Sequence, residues 1–164
     1  MRQYVDSVTG EIYYTEEVLR RSDEIVKVFR PVGRSSKFVK IKASQKAKRR
    51  LRKLSLAEAG FLLKIAPYAS EGTNLLQGDN ERGQKGIPLT VKDLAHIADC
   101  SYPTARKIVK TFMELHVMRR TDLEGRAALA INPLYSLNGK TAETWLLHLF
   151  NQEITEAGED PNLD

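Results

Sequence analysis

Residues 90–131 read TVKDLAHIADCSYPTARKIVKTFMELHVMRRTDLEGRAALAI, and the spacing within this stretch decides the fold. Thr90 is a helix N-cap with Asp93 three residues later. Val91, Leu94, Ala95 and Ala98 then recur at helical spacing. A tight turn is expected at Asp99-Cys100. Ser101 is a second N-cap, and Pro103 falls in the first turn, where its missing N–H costs little. The helix that follows, over 102–116, carries Ala105, Ile108, Val109, Phe112 and Leu115 on one face. Two β-prone runs, 117–121 and 127–131, close the unit around Asp122-Leu123-Glu124-Gly125 as a hairpin tip.

Helix, turn, helix and two-stranded wing is the layout of a winged helix-turn-helix. Ala95 is small where the first helix must cross the second closely, and Cys100 occupies the turn position that points an apolar side chain inward. Such units usually carry Gly where this chain has Asp99. Aspartate tolerates the left-handed conformation better than most residues, so the turn is expected to survive. The outer face of the second helix is then Ser101, Tyr102, Pro103, Thr104, Arg106, Lys107 and Lys110. Tyr102, Arg106 and Lys107 are candidates for contacts to base edges. Ser101, Thr104 and Lys110 are candidates for phosphates, as are Arg119 and Arg120 at the wing base, and Arg126 on the wing would reach a neighbouring minor groove or backbone. The bland reading of the same residues is a helical hairpin with a solvated basic face.

The 164 residues are 41% hydrophobic and carry a net charge of +5, enough for one good core and suited to a polyanionic partner. The charge is unevenly placed. Residues 37–53 hold nine basic residues and no acid, residues 101–126 sum to +3, and residues 127–164 sum to −5. Two basic segments between neutral or acidic ones are the electrostatic footprint of a nucleic-acid protein. Within the first segment Lys46, Lys48, Arg49, Arg50, Arg52 and Lys53 form a dense cluster. Aromatic platforms for single-stranded RNA are nearly absent there, Phe38 being the exception. No run of 18 apolar residues is present, and the N-terminus lacks the apolar core of a signal peptide. A single cysteine excludes an intramolecular disulfide and a thiolate zinc site. A cytoplasmic chain with no membrane association is the expectation.

The rest of the chain divides into three parts. An N-terminal β-rich arm is expected over 1–43, with a hairpin around Val8-Thr9-Gly10-Glu11, a strand at Ile25–Phe29 and an exposed strand at Lys37–Lys42. A basic helix and the winged-helix core follow over 44–140. In that core Ser55 and Glu58 make a capping box for a helix with Leu56, Ala59, Leu62, Leu63 and Ala66 on its apolar face, ended by Pro67. Leu75-Leu76 and Ile87–Leu89 read as short strands flanking a loop, Gly78–Gly86. Residues 141–164 form a last helix, capped by Thr141, and an acidic tail that is expected to solvate the end of the chain, the alternative being that it competes with DNA for the basic segments. Trp145, Leu146, Leu149 and Phe150 make an apolar stripe on that helix, a candidate homodimer interface as well as a candidate part of the core. The fold class is thus α+β, mainly helical: a winged helix-turn-helix with an N-terminal β-hairpin arm and a C-terminal helix.

A family resemblance runs along most of the chain. It rests on Thr9-Gly10-Glu11-Ile12, Lys37-Phe38-Val39-Lys40-Ile41, the helix-turn-helix, Ile131-Asn132-Pro133, Asn138-Gly139-Lys140 and Leu149-Phe150. The pattern resembles winged-helix proteins of Gram-positive phages and plasmids that are similar to plasmid replication initiators and MarR-type transcription regulators. The resemblance implies a winged-helix fold, duplex DNA as ligand, and a role in transcription regulation or replication initiation of a phage, plasmid or bacterial host. It also implies that Ser101, Tyr102, Thr104, Arg106 and Lys107 belong to the reading helix and Arg126 to the wing. Since one reading helix spans few base pairs, a homodimer on symmetric half-sites is expected. The competing class is a protein-interaction module whose basic faces bind an acidic replication or transcription partner.

Catalysis finds no support in the same residues. His96, His116 and His148 are scattered and lack companions at metal-ligand spacing. Gly78, Gly83 and Gly86 match neither the phosphate-loop nor the dinucleotide pattern. No catalytic residue, metal or cofactor is expected.

Overall fold

A computed structural model describes residues 2–5, 12–19, 25–31, 38–42 and 44–162, in two compact units divided after Lys37. The first unit is an antiparallel sheet of β1 (Arg2–Val5), β2 (Ile12–Leu19) and β3 (Ile25–Pro31), ordered β1-β2-β3. Tyr4 pairs with Tyr13, in keeping with the hairpin register, and the turn residues Val8–Glu11 lie outside the described residues. β2 extends through Glu16 and Glu17, which pair with Val28 and Lys27. The ladder partner, rather than propensity, decides the strand there.

The second unit begins at Phe38 and takes residues 38–42 from the arm expected over 1–43. The cause is β4 (Val39–Lys40), which pairs antiparallel with β7 (Leu137–Asn138) almost a hundred residues away. Lys37, the first residue of the predicted strand, lies outside the described residues. The basic stretch forms α1 (Gln45–Leu51), whose N-cap Ser44 accepts a hydrogen bond from the Ala47 N–H at 3.0 Å. Next comes α2 (Leu56–Ile65), started by the Ser55–Glu58 capping box and followed by a 3₁₀ turn, Ala66–Tyr68, that contains Pro67. Its buried face is Phe61, Leu62 and Ile65, with Ala66 just beyond; Leu56 is 91% exposed and Leu63 63% exposed, contrary to the predicted face. The helix is apolar nearly all round, so periodicity does not choose its side. The edge-on contact of Phe61 with Phe112, centroids 6.0 Å apart, is part of what does.

The helix pair follows the sequence reading closely. α3 (Val91–Ala98) starts in a reciprocal box: Asp93 accepts from the Thr90 N–H at 2.8 Å and Thr90 accepts from the Asp93 N–H at 3.3 Å. It buries Leu94, Ala95 and Ala98 and ends at Asp99, which is left-handed at φ 55°, ψ 53°. α4 (Tyr102–Glu114) starts at Ser101 and buries Ala105, Ile108, Val109 and Phe112. A second left-handed residue, His116 at φ 55°, stops it; the N–H groups of His116 and Val117 return to the carbonyls of Met113 and Phe112.

β5 (Met118–Leu123) and β6 (Arg126–Ile131) form a hairpin in which Leu123 faces Arg126. The loop is therefore only Glu124-Gly125, both with positive φ, 53° and 77°, the pattern of a type I′ turn. Asp122 and Leu123, predicted as part of the tip, belong to the strand. Leu75 bridges Ala130 on the far edge, and Leu76 donates to the Leu129 carbonyl at 2.9 Å. The predicted strands at Leu75-Leu76 and Ile87–Leu89 are thus single bridges, the second made by Gln77 with Pro88.

Three buried asparagines hold this framework. Asn74 donates to the carbonyls of Ile131 and Ser136 at 3.0 and 2.7 Å and accepts from the Asn138 N–H at 3.0 Å. Asn138 donates to the Ala69 carbonyl. Asn132 donates to the His116 carbonyl at 2.9 Å, so the end of the hairpin is tied to the end of α4. The C-terminal part is two short helices, α5 (Thr144–Leu149) and α6 (Asn151–Ala157), rather than one, and the N-cap is Glu143 rather than Thr141. Leu146 and Phe150 are completely buried, packed with Leu75, Ala128, Ala130, Leu137 and Ala142. Among the described residues no helix is long and apolar enough to cross a membrane.

Candidate nucleic-acid interface

Every candidate on the first two turns of α4 faces outward. Ser101, Tyr102, Pro103, Thr104, Arg106, Lys107 and Lys110 are all exposed, while the intervening Ala105, Ile108 and Val109 are buried. The alternation follows from the helical repeat, which sends i, i+3 and i+4 to one side. Tyr102 is half-exposed, which leaves one side of its ring open to a partner. Ser101 and Thr104 are partly committed: the Ser101 hydroxyl caps the Thr104 N–H at 3.3 Å and shares a 2.8 Å hydrogen bond with the Thr104 hydroxyl. Lys110 lies 3.7 Å from Glu114 one turn on, a solvent-exposed pair worth little and free to exchange for another anion.

The hairpin divides its arginines. Arg120 and Arg126 are exposed. Arg119, a phosphate candidate in the sequence, is half-buried and already partnered: it pairs with Glu153 and lies over the Phe150 ring, 5.7 Å from the centroid. Successive strand residues point to opposite faces and paired residues share one, so Arg126, opposite Leu123, lies on the Arg119 face and Arg120 on the other. Glu153 also lies 3.1 Å from His116 Nδ1, which joins α6 to the end of α4.

The basic cluster divides in the same way. Lys48, Arg49, Arg52 and Lys53 are exposed or half-exposed. Arg50 is drawn inward: its Nη2 is 2.6 Å from Glu159 Oε2 and 3.3 Å from the Leu134 carbonyl. Lys46 donates to the Ala157 carbonyl at 2.8 Å, at the C-terminal end of α6, where a cation meets the negative end of the helix dipole. Ser44 adds a 2.9 Å hydrogen bond to Glu159, and Lys42 donates to the Asp160 carbonyl. Burial of Glu159 pushes its carboxyl up, but hydrogen bonds from Arg50 and Ser44, with the charges of Arg50 and Lys46, outweigh it and hold the carboxyl below its ordinary value. The acidic end of the chain, expected to be a solvating tail, is through residue 162 a docked segment. Neither Glu153 nor Glu159 was a sequence candidate, because ion pairs made across 34 and 109 residues leave no local pattern.

A cavity of about 260 Å³ lies between these elements, lined among others by Arg50, Lys53, His116, Tyr135, Glu153 and Glu156. Burial raises the Tyr135 hydroxyl above its ordinary value against the nearby charge of Arg50. Trp145 and Leu149 remain partly exposed, whereas Leu146 and Phe150 cannot anchor a second subunit, because they fill the chain's own core. The residues brought together on the surface are thus Tyr102, Arg106, Lys107 and their capping neighbours. No protein-family model, no curated protein and no solved structure matches the chain.

Proposed function

We propose that residues 38–164 are a winged helix-turn-helix that reads the sequence of duplex DNA, with α4 in the major groove and the β5–β6 hairpin as the wing. One observation carries the reading: α4 presents Tyr102, Arg106, Lys107 and Lys110 exposed, while Ala105, Ile108, Val109 and Phe112 are buried on its other face. Arginine can bind a guanine edge through two parallel hydrogen bonds, and Lys107 and Tyr102 stand about one turn or less from Arg106. Lys110, Arg120 and Arg126, with Lys48, Arg49, Arg52 and Lys53 of the α1 region, supply positive charge for the phosphates.

On this reading the chain acts by binding, not catalysis, in transcription regulation or replication initiation of a phage, plasmid or bacterial host. Two copies on symmetric half-sites give the specificity that one α4 cannot. The test is equilibrium binding of the purified chain to duplex DNA across a salt series. Affinity falling linearly on log–log axes supports the reading. Absence of duplex binding at low salt sinks it, and would favour a module that binds an acidic protein partner.

A further inference from the structure

The contact between α1 and the end of α6 uses the same donors that a DNA phosphate would take. Glu159 offers one carboxylate oxygen to the Ser44 hydroxyl at 2.9 Å and the other to Arg50 Nη2 at 2.6 Å. Lys46 is held by the Ala157 carbonyl and Lys42 by the Asp160 carbonyl. A guanidinium and a hydroxyl converge on the two carboxylate oxygens, with two ammonium groups on neighbouring backbone carbonyls, and these are donors that a phosphate contact also takes. Glu156, Glu159 and Asp160 also bring negative charge beside the basic α1. The segment is short, and it is attached beyond this point by Asn162, whose side chain accepts from the Ala142 N–H at 2.6 Å.

We propose that residues 157–160 compete from within the chain with DNA for α1, so that Arg50 contacts a phosphate only when Glu159 has left it, and Lys46 only when the Ala157 carbonyl has. This rests on the DNA reading above and adds its regulation. With the segment seated, DNA is held by α4, the wing and the outward cations Lys48, Arg49, Arg52 and Lys53. With it displaced, Arg50 and Lys46 of α1 add phosphate contacts of their own. No bond is made or broken covalently; a phosphate replaces the Glu159 carboxylate on Arg50 and the Ala157 carbonyl on Lys46.

The experiment compares the full chain with Glu159→Gln, Glu159→Ala and Glu159→Ala combined with Arg50→Gln, on a random-sequence duplex of about 30 base pairs across a salt series. Thermal melting first establishes that each variant is folded at the assay temperature, and Glu159→Gln, which keeps shape and hydrogen-bonding capacity, serves if the alanine variant is not. The proposal expects the Glu159 variants to bind more tightly, by about five- to ten-fold per added phosphate at roughly 0.1 M salt, with a salt slope steeper by about 0.9 for each. Adding Arg50→Gln should return both quantities towards those of the parent chain. Equal or weaker binding with an unchanged slope overturns the proposal and leaves the contact as a staple of the fold. If neither parent nor variants bind duplex, the DNA reading has failed and the competition falls with it.

Discussion

Arg50 of α1 and Glu159 beyond α6 form a 2.6 Å ion pair across 109 residues, with both side chains largely shielded from water. It joins the most basic part of the chain to its acidic end. The favourable charge at Glu159 survives its burial because two hydrogen bonds reach it, so its carboxyl is held below the ordinary value.

That shift gives a pH dependence. A carboxyl depressed in the folded state contributes stability that is fully present above its unfolded value and is lost as pH falls through the folded one. The parent chain should therefore lose stability to acid more steeply than Glu159→Gln from about pH 5 downwards. Urea denaturation at a series of pH values measures this; parallel curves for the two chains would show that the pair contributes nothing.

Leu146 and Phe150 yield a prediction opposite in kind to the dimer-anchor reading of the same stripe. Both are completely buried in the chain's own core. Leu146→Ala should cost about 2–5 kcal/mol and Phe150→Ala about 3–5 kcal/mol of folding stability. Denaturation and sedimentation together check it. A variant that melts as the parent does while changing its association state would restore the interface reading.

Asp99 holds a left-handed conformation between the two helices. Asp99→Val should destabilise by about 1–2 kcal/mol, because a β-branched side chain crowds the carbonyl there, whereas Asp99→Gly should be neutral or stabilising. Chemical denaturation of both variants is the measure, and equal stability of Val and Gly at this position would contradict the strained turn.

The parts of this molecule that are legible in the sequence are those set by neighbours in the chain. Thr90 with Asp93, Ser55 with Glu58, Ser101 before Pro103, and Gly125 at the hairpin tip each act within four residues, and each forms as expected. The exposed face of α4 follows from them, because a fixed start and a 3.6-residue repeat determine which residues point out. What is not legible depends on partners far away. Apolarity says that Phe150 is covered but not by what. α2 is apolar nearly all round, so periodicity alone does not select Phe61 and Ile65 over Leu56 and Leu63; packing, the Phe61–Phe112 contact among it, does. Arg50 and Arg119 look identical to their exposed neighbours until Glu159 and Glu153 reach them.

The outward cations of the α1 region should act on all sequences alike. Replacing Lys48, Arg49, Arg52 and Lys53 with Gln should lower affinity for every duplex and flatten the salt slope by about 0.9 for each phosphate no longer neutralised. Lys46 and Arg50 are kept in this variant because their present partners belong to the fold. An unchanged slope would make this surface a solvated face.

Selection of bound fragments from a random duplex library tests the central claim most directly, run in parallel on the parent chain, Arg106→Ala and Lys107→Ala. The expected result is an enriched motif of two symmetric half-sites about one helical turn apart, and relaxed preference at one position per half-site in each variant, with discrimination there reduced by about 1–3 kcal/mol. Retention of duplexes with no enriched sequence, or the same motif from all three chains, would contradict the assignment of α4 as the reading helix.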